Sequence, residues 1–137
     1  MIVLDTNVVS ELLRPEPSAQ VERWVDSRPL LFATSISVQE SYFGLELFPA
    51  GRRRRLLLDR LDSVMDAVFG DRVLVYGEIA ARHTAAIMAL RQRAGHVMST
   101  ADAQIAGICL EHGATLATRN TRDFAGLPLD VVDPWRG

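Results

Sequence analysis

A chain of 137 residues, 48% hydrophobic and 23% charged, fits one globular domain with its own core and excludes a disordered, fibrous or low-complexity polymer. A net charge of −2 gives no global electrostatic case for nucleic-acid binding, and because all fifteen basic residues are arginine, chemistry that needs a catalytic lysine is excluded. The single cysteine, Cys109, excludes an intramolecular disulfide or a multi-cysteine metal site and points to a reducing compartment.

Met1–Leu4 is a short apolar run without alternation, the pattern of a buried strand, and Asp5-Thr6-Asn7 ends it with residues that cap helices. The following helix runs to Leu13 and stops at Arg14-Pro15-Glu16-Pro17. Ser18 then opens a second helix with Val21, Trp24 and Val25 on one face. Leu30–Thr34 is the next strand. A helix from Ser37 to about Phe48 ends at Pro49-Ala50-Gly51, and a long helix from Arg52 to about Phe69 follows. Arg72–Tyr76 reads as a third strand and Glu78–Arg93 as a helix whose Ile79, Ala86, Ile87 and Leu90 face inward. Ser99-Thr100 caps a helix over Ala101–His112, Gly113 terminates it, Ala114–Thr118 returns to strand, and Leu129–Val132 is a weak last strand.

Strands alternating with helices and no internal repeat predict an α/β fold: one domain over residues 1–137, with a central parallel sheet covered by helices on both faces. The longest uncharged stretches, such as Pro29–Gln39, are too short to span a bilayer. The N-terminus lacks the basic start and long apolar run of a signal peptide, so the expected location is the cytoplasm, with no membrane partner.

In parallel sheets, ligands gather beyond the carboxyl ends of the strands. Sorted by that edge, Asp5 closes the first strand, Glu40 follows the second, Asp102 opens the helix before the fourth, and Asn120 and Asp123 follow the fourth. If those strands are neighbours, three or four acidic groups converge. Like charges a few ångströms apart raise one another's pKa and oppose folding, so a cation is expected among them. An oxygen-only donor set suits Mg²⁺, with Mn²⁺ as a substitute, and a metal-activated water attacking a phosphodiester is the chemistry that follows. Glu40 shares a helix face with Ile36, Phe43, Gly44 and Leu47, and Asp102 with Ile105, Ala106 and Cys109, which turns both carboxylates toward apolar surroundings. A plainer reading also stands: Asp5 as a helix cap, and Asp102 as a complement to a helix dipole.

Val3-Leu4-Asp5-Thr6-Asn7, Ser37-Val38-Gln39-Glu40, Ala101-Asp102-Ala103-Gln104-Ile105-Ala106 and Ala117-Thr118-Arg119-Asn120-Thr121-Arg122-Asp123-Phe124 together resemble the PIN domain family, and more narrowly the VapC toxins of bacterial VapBC toxin–antitoxin pairs. The resemblance covers nearly the whole chain, and Pro134-Trp135 is similar to endings in one VapC-like branch. It implies a Mg²⁺-dependent endoribonuclease acting on RNA, held inactive by a small VapB-type antitoxin whose tail crosses the active-site groove. It also implies a homodimer, and contact with DNA only through the antitoxin complex. By position, Asp5, Glu40 and Asp102 match the family's metal-binding acids. The fourth position, often aspartate, is Asn120 here, with Asp123 three residues on, so either residue is a candidate to complete the site. Thr6 and Thr118 look like the family's hydroxyls that orient carboxylates or a bound water; capping and turn bonding are the alternative for both.

Arg52-Arg53-Arg54-Arg55 is the one basic cluster, placed at a helix start where positive charge opposes the dipole. It reads either as a contact for RNA phosphates or for an acidic antitoxin, or as a solvated face in which Arg55 pairs with Asp59. His83 and His112 sit in helices without metal-ligand spacing to each other, His96 precedes Asp102 in a loop from which it could approach substrate although no partner for it is evident, and Trp24 and Trp135 read as packing residues. A receiver domain requires a lysine, an aspartate-nucleophile phosphatase a second aspartate where Asn7 stands, and a nucleotide site a glycine-rich loop after the first strand; none is present. The remaining alternative to an enzyme is a catalytically inactive PIN-like module that binds protein or RNA.

Overall fold

A computed structural model describes residues 1–137. The elements run β1 (Ile2–Leu4), α1 (Thr6–Leu12), α2 (Ala19–Asp26), β2 (Leu31–Thr34), α3 (Ser35–Glu46), α4 (Arg52–Val68), β3 (Val73–Leu74), α5 (Glu78–Arg93), α6 (Thr100–His112), β4 (Thr115–Ala117), a 3₁₀ turn (Thr121–Phe124) and β5 (Val131–Val132). Every strand pair is parallel, in the order β3-β2-β1-β4-β5. Ile2 pairs with Leu31 on one side and Thr115 on the other, so β1 is the central strand. No helix is long and apolar enough to cross a membrane.

Alternation along the strands divides the core into two layers. Leu4, Leu31, Ala33 and Ala117 join α1 to α4 through Val8, Val9, Trp24, Leu45 and Leu61. Their neighbours Val3 and Leu116 point the other way and pack with Ile87 of α5 and with Ala103, Ile105, Ala106 and Cys109 of α6. The helices therefore cover both faces, as the strand–helix alternation predicts. The chain winds outward from β1 to β2 and β3, then crosses back to β4 on the other side of β1. A crevice opens at that reversal between the ends of β1 and β4, where Asp5 and Thr118 follow their strands.

Two sequence expectations shift. Helix α3 starts at Ser35 rather than Ser37, because the cap is Thr34: its hydroxyl accepts from the Ser37 N–H at 3.0 Å while Ser37 Oγ accepts from the Thr34 N–H at 3.1 Å. On α5 the inward residues are Ala80, Thr84 and Ile87, while Ile79 is 58% and Leu90 45% exposed and Ala86 also faces out. The reason is the close approach of α6. Thr84 Oγ1 lies 2.9 Å from the carbonyl of Ala80 and 3.2 Å from that of Ala103, so small and hydroxyl side chains, not large ones, fill the seam.

Gly107 makes that approach possible. A Cβ there would stand 2.2 Å from Thr84 Oγ1 and 2.6 Å from the backbone oxygen of Ala80, which cannot move aside as a side chain can. Gly107→Ala is therefore expected to destabilise the fold by roughly 1–3 kcal/mol, despite alanine's better helix propensity. Urea unfolding would measure this, and an unchanged midpoint would contradict the account of the seam.

Candidate active site

Asp5 is the residue at which β1 becomes α1. Its extended backbone leaves Oδ1 to accept from the Thr6 N–H at 2.8 Å, so it does cap the helix, as the plainer reading has it. Its Oδ2 meanwhile accepts from Thr118 Oγ1 at 2.7 Å and Asn7 Nδ2 at 3.3 Å, across the β1–β4 crevice. Capping and site-building are two ends of one carboxylate. Only 4% exposed, Asp5 has its pKa raised from 3.8 to about 6, chiefly by burial, with the negative charges of Asp102 and Glu40 adding to the rise against the hydrogen bonds from Thr118 and Thr6.

Glu40 reaches the same crevice from α3, and Thr6 Oγ1 donates to its Oε1 at 2.6 Å. The apolar stripe expected around Glu40 is not core: Phe43 is 62% and Leu47 69% exposed, because α3 turns Ser41 and Leu45 inward. Glu40 is half-buried by its place beside Thr6, not by its own helix face. Asp102, in the first turn of α6, does share its face with fully buried Ile105, Ala106 and Cys109. Burial pushes its pKa up, as do the charges of Asp123 and Glu40, while Ser99 works the other way.

Asp5, Glu40 and Asp102 line one cavity of about 480 Å³, together with Thr6, Asn7 and Asn120. Asp123 lies instead in an adjoining cavity that shares only Asp102 with the first. Thr118 is fully buried beneath the site, donating to Asp5 and accepting from Asn7 Nδ2 at 3.0 Å and the Asn120 N–H at 3.1 Å. Arg52 and Arg55 line a separate pocket with Leu56, away from the acids.

Sequence reasoning missed six residues of the acid cavity: Asn7, Ser10, Glu11, Arg14, Arg119 and Trp135. Asn7 ties β1 to β4, its Oδ1 accepting from the Arg119 N–H at 3.2 Å. Glu11, 5% exposed, accepts from the Ser18 N–H at 2.8 Å and pairs with Arg14 at 3.1 Å; although burial works to raise its pKa, these partners hold it below the usual range. Arg119 lies over the ring of Trp135, 4.9 Å from its centroid. The available signal was helical spacing: Asn7, Glu11 and Arg14 stand at i, i+4 and i+7 on one face of α1.

Arg14 and Arg119 also line this cavity, but none of the chain's ion pairs involves Asp5, Glu40 or Asp102, so three carboxylates share a crevice without an ion-pair partner. No three Asp, Glu, His or Cys side chains stand within ligating reach of one point. That open, oxygen-only arrangement fits Mg²⁺ or Mn²⁺, which retain several waters, and does not fit an enclosed thiolate or imidazole site.

The raised pKa of Asp5 has a signed consequence. A folded-state value of about 6 against an ordinary 3.8 means the metal-free protein loses stability as pH rises through 6. Asp5 alone should make it about 1 kcal/mol more stable at pH 5 than at pH 7.5. Glu11, shifted downward, loses its contribution only below that window. Urea unfolding with chelator tests this; Asp5→Asn should flatten the difference, and stability that rises from pH 5 to 7.5 would contradict it. Mg²⁺ affinity should weaken below pH 6, since the ion competes with a proton.

The PIN domain family matches residues 2–128. VapC ribonuclease Y4jK of Sinorhizobium fredii is 40% identical over 137 residues, covering 98% of each chain. Toxin FitB of Neisseria gonorrhoeae is 36% identical over 137 residues, covering 98% of this chain and 99% of FitB. Among solved structures, FitAB bound to the IR36 DNA fragment matches with a TM-score of 0.89 at 35% identity, covering 98% of this chain and 96% of that one. The matched residues include all four segments that build the crevice, and the chain belongs to the PIN domain family.

Proposed function

We propose that this protein is the toxin of a type II toxin–antitoxin pair, a single-domain Mg²⁺-dependent endoribonuclease spanning residues 1–137. The observation that carries the reading is the convergence of Asp5, Glu40, Asp102 and Asn120, from four separate segments, on one crevice in which none of the three acids is ion-paired. Asp5, Glu40 and Asp102 would hold the ion, with Asn120 offering a carbonyl oxygen and Asp123 adding charge behind Asp102. When bound, Mg²⁺ or Mn²⁺ supplies activation of water and offsets charge on the attacking and leaving oxygens. The chain's own work is orientation: Thr6 fixes one oxygen of Glu40, and Thr118 and the Thr6 N–H fix the two oxygens of Asp5.

The names of the relatives support the two halves of this reading, a ribonuclease in one case and a toxin in the other. We extend it to a cognate VapB-type antitoxin, a homodimer, a cytoplasmic location, and DNA contact only through the antitoxin complex. Arg52–Arg55 is assigned to the partner: Arg52 and Arg55 border a pocket with Leu56, 56% exposed, a mixed basic and apolar surface suited to an acidic amphipathic segment.

Cleavage of a mixed structured RNA pool by the purified protein, with Mg²⁺, with Mn²⁺ and with chelator, tests the reading, with Asp5→Asn as the control for contaminating nuclease. Metal-dependent cuts absent in the variant are expected. No cutting, with no metal bound by calorimetry, would favour the inactive binding module.

A further inference from the structure

The acid cavity has a cationic neighbour. Asp102 also borders a cavity of about 620 Å³ faced by Arg91, His96 and Arg122, with Asp123 as the only other carboxylate. Arg91 is committed to architecture: its Nη2 donates to the carbonyls of Ala125 at 2.6 Å and Asp123 at 3.3 Å, tying the 3₁₀ turn to α5. Arg122 and His96 are exposed, and neither side chain takes part in an ion pair or hydrogen bond within the chain. Val97, 96% exposed, stands on the same rim.

The acid cavity has its own arginines, which do not line this one. Of these, Arg14 is paired with Glu11; Arg119 makes no ion pair, although its charge helps to hold the Glu11 pKa down. Its guanidinium rests on Trp135, which also lines the cavity, so the stack limits where the charge can point. Arg119 thus borders the acid cavity and Arg122 with His96 the adjoining one, with Asp102 at the wall the two share.

This arrangement has a physical rationale. A crevice of carboxylates repels a polyanion even with one divalent cation bound, so a phosphodiester chain crossing it must be attracted on both flanks. An arginine fork can contact a phosphate through two N–H groups, and an imidazole N–H adds a third donor. Bases held in a duplex stack could not enter either cavity or meet Val97, whereas splayed single-stranded bases could.

Building on the ribonuclease reading above, we propose that the two cavities form one track for single-stranded RNA. Arg119 and Arg122 hold the phosphates on either side of the scissile one, and His96 assists Arg122.

Fluorescence anisotropy tests this on the full chain in the cleavage-silent Asp5→Asn background with Mg²⁺, using a labelled single-stranded RNA and the same sequence as a duplex. Single-stranded RNA should bind more tightly than the duplex. Arg119→Ala and Arg122→Ala should each weaken it by roughly tenfold and reduce the slope of log affinity against log salt by about 0.7. Arg122→Glu should weaken it further, and Arg82→Ala, an exposed arginine paired with Glu78, should change nothing. The arginines at issue are exposed, and thermal unfolding of each variant confirms that the fold is kept. If the parent binds RNA but both alanine variants bind equally well, or the duplex binds as tightly, the track is wrong while the ribonuclease reading stands. If the parent binds no RNA and the wild type cuts none, the underlying reading fails and the track fails with it.

Discussion

Asp102→Asn is expected to remove metal-dependent RNA cleavage, by at least ~10³-fold, while leaving the fold intact. The reason lies in what each charge does. Asp102 makes no ion pair, and its burial and the charges of Asp123 and Glu40 already strain its ionised form. Asparagine keeps the shape and one carbonyl oxygen but removes the charge that attracts a divalent ion. The same removal relieves repulsion on Asp5, whose raised pKa owes part of its shift to Asp102. Metal-free Asp102→Asn should therefore unfold at equal or higher temperature than the wild type at pH 7.5, and its cleavage, followed on a defined oligonucleotide, should fall to background. Loss of cleavage together with loss of folding would mean that Asp102 serves the fold as a complement to the α6 dipole and nothing more; retained cleavage would remove it from the site.

Thr118→Val is the second large effect, and it separates orientation from ligation. The valine is close in size and remains buried, so packing in the core changes little. What disappears is the hydroxyl that donates to Asp5 at 2.7 Å and accepts from Asn7 and from the Asn120 backbone. Two donors then lose an acceptor and a buried carboxylate loses a donor, costing about 1.5–3 kcal/mol at pH 7.5. Cleavage should fall a further 10- to 100-fold through a misplaced Asp5, as is usual when a hydrogen bond behind a ligand is cut. The destabilisation should shrink at pH 5, where Asp5 is protonated and needs the donor less. Equal losses at both pH values would show that Thr118 serves packing and not the charge on Asp5.

The order of elements was legible because each boundary has a local cause. Asp5, Ser18 and Ser99 cap their helices through their own side chains, and Gly113 ends α6 in the left-handed conformation, φ 60°. The three acids were legible for a different reason: each follows a strand end or opens a helix, and a parallel sheet brings such positions to one edge. The α5–α6 seam was not legible. Periodicity weighs Ile79 and Leu90 as core residues, whereas the close approach at Gly107 selects Ala80 and Thr84, a property of two helices that neither sequence carries alone. The stripe of Phe43 and Leu47 failed similarly, since an apolar helix face does not specify whether its cover is this chain or another. The placing of Asn120 and Asp123 in different cavities depends on the 3₁₀ turn at Thr121–Phe124, which no residue pattern marks in advance.

The central claim is that divalent metal binds in the crevice these side chains line. A crystal of the protein soaked in Mn²⁺, measured at the manganese absorption edge, tests it most directly. An anomalous peak bounded by Asp5, Glu40 and Asp102, absent from crystals of Asp102→Asn, is the result predicted. No peak in that crevice at millimolar Mn²⁺, or one equally strong in the variant, would contradict it.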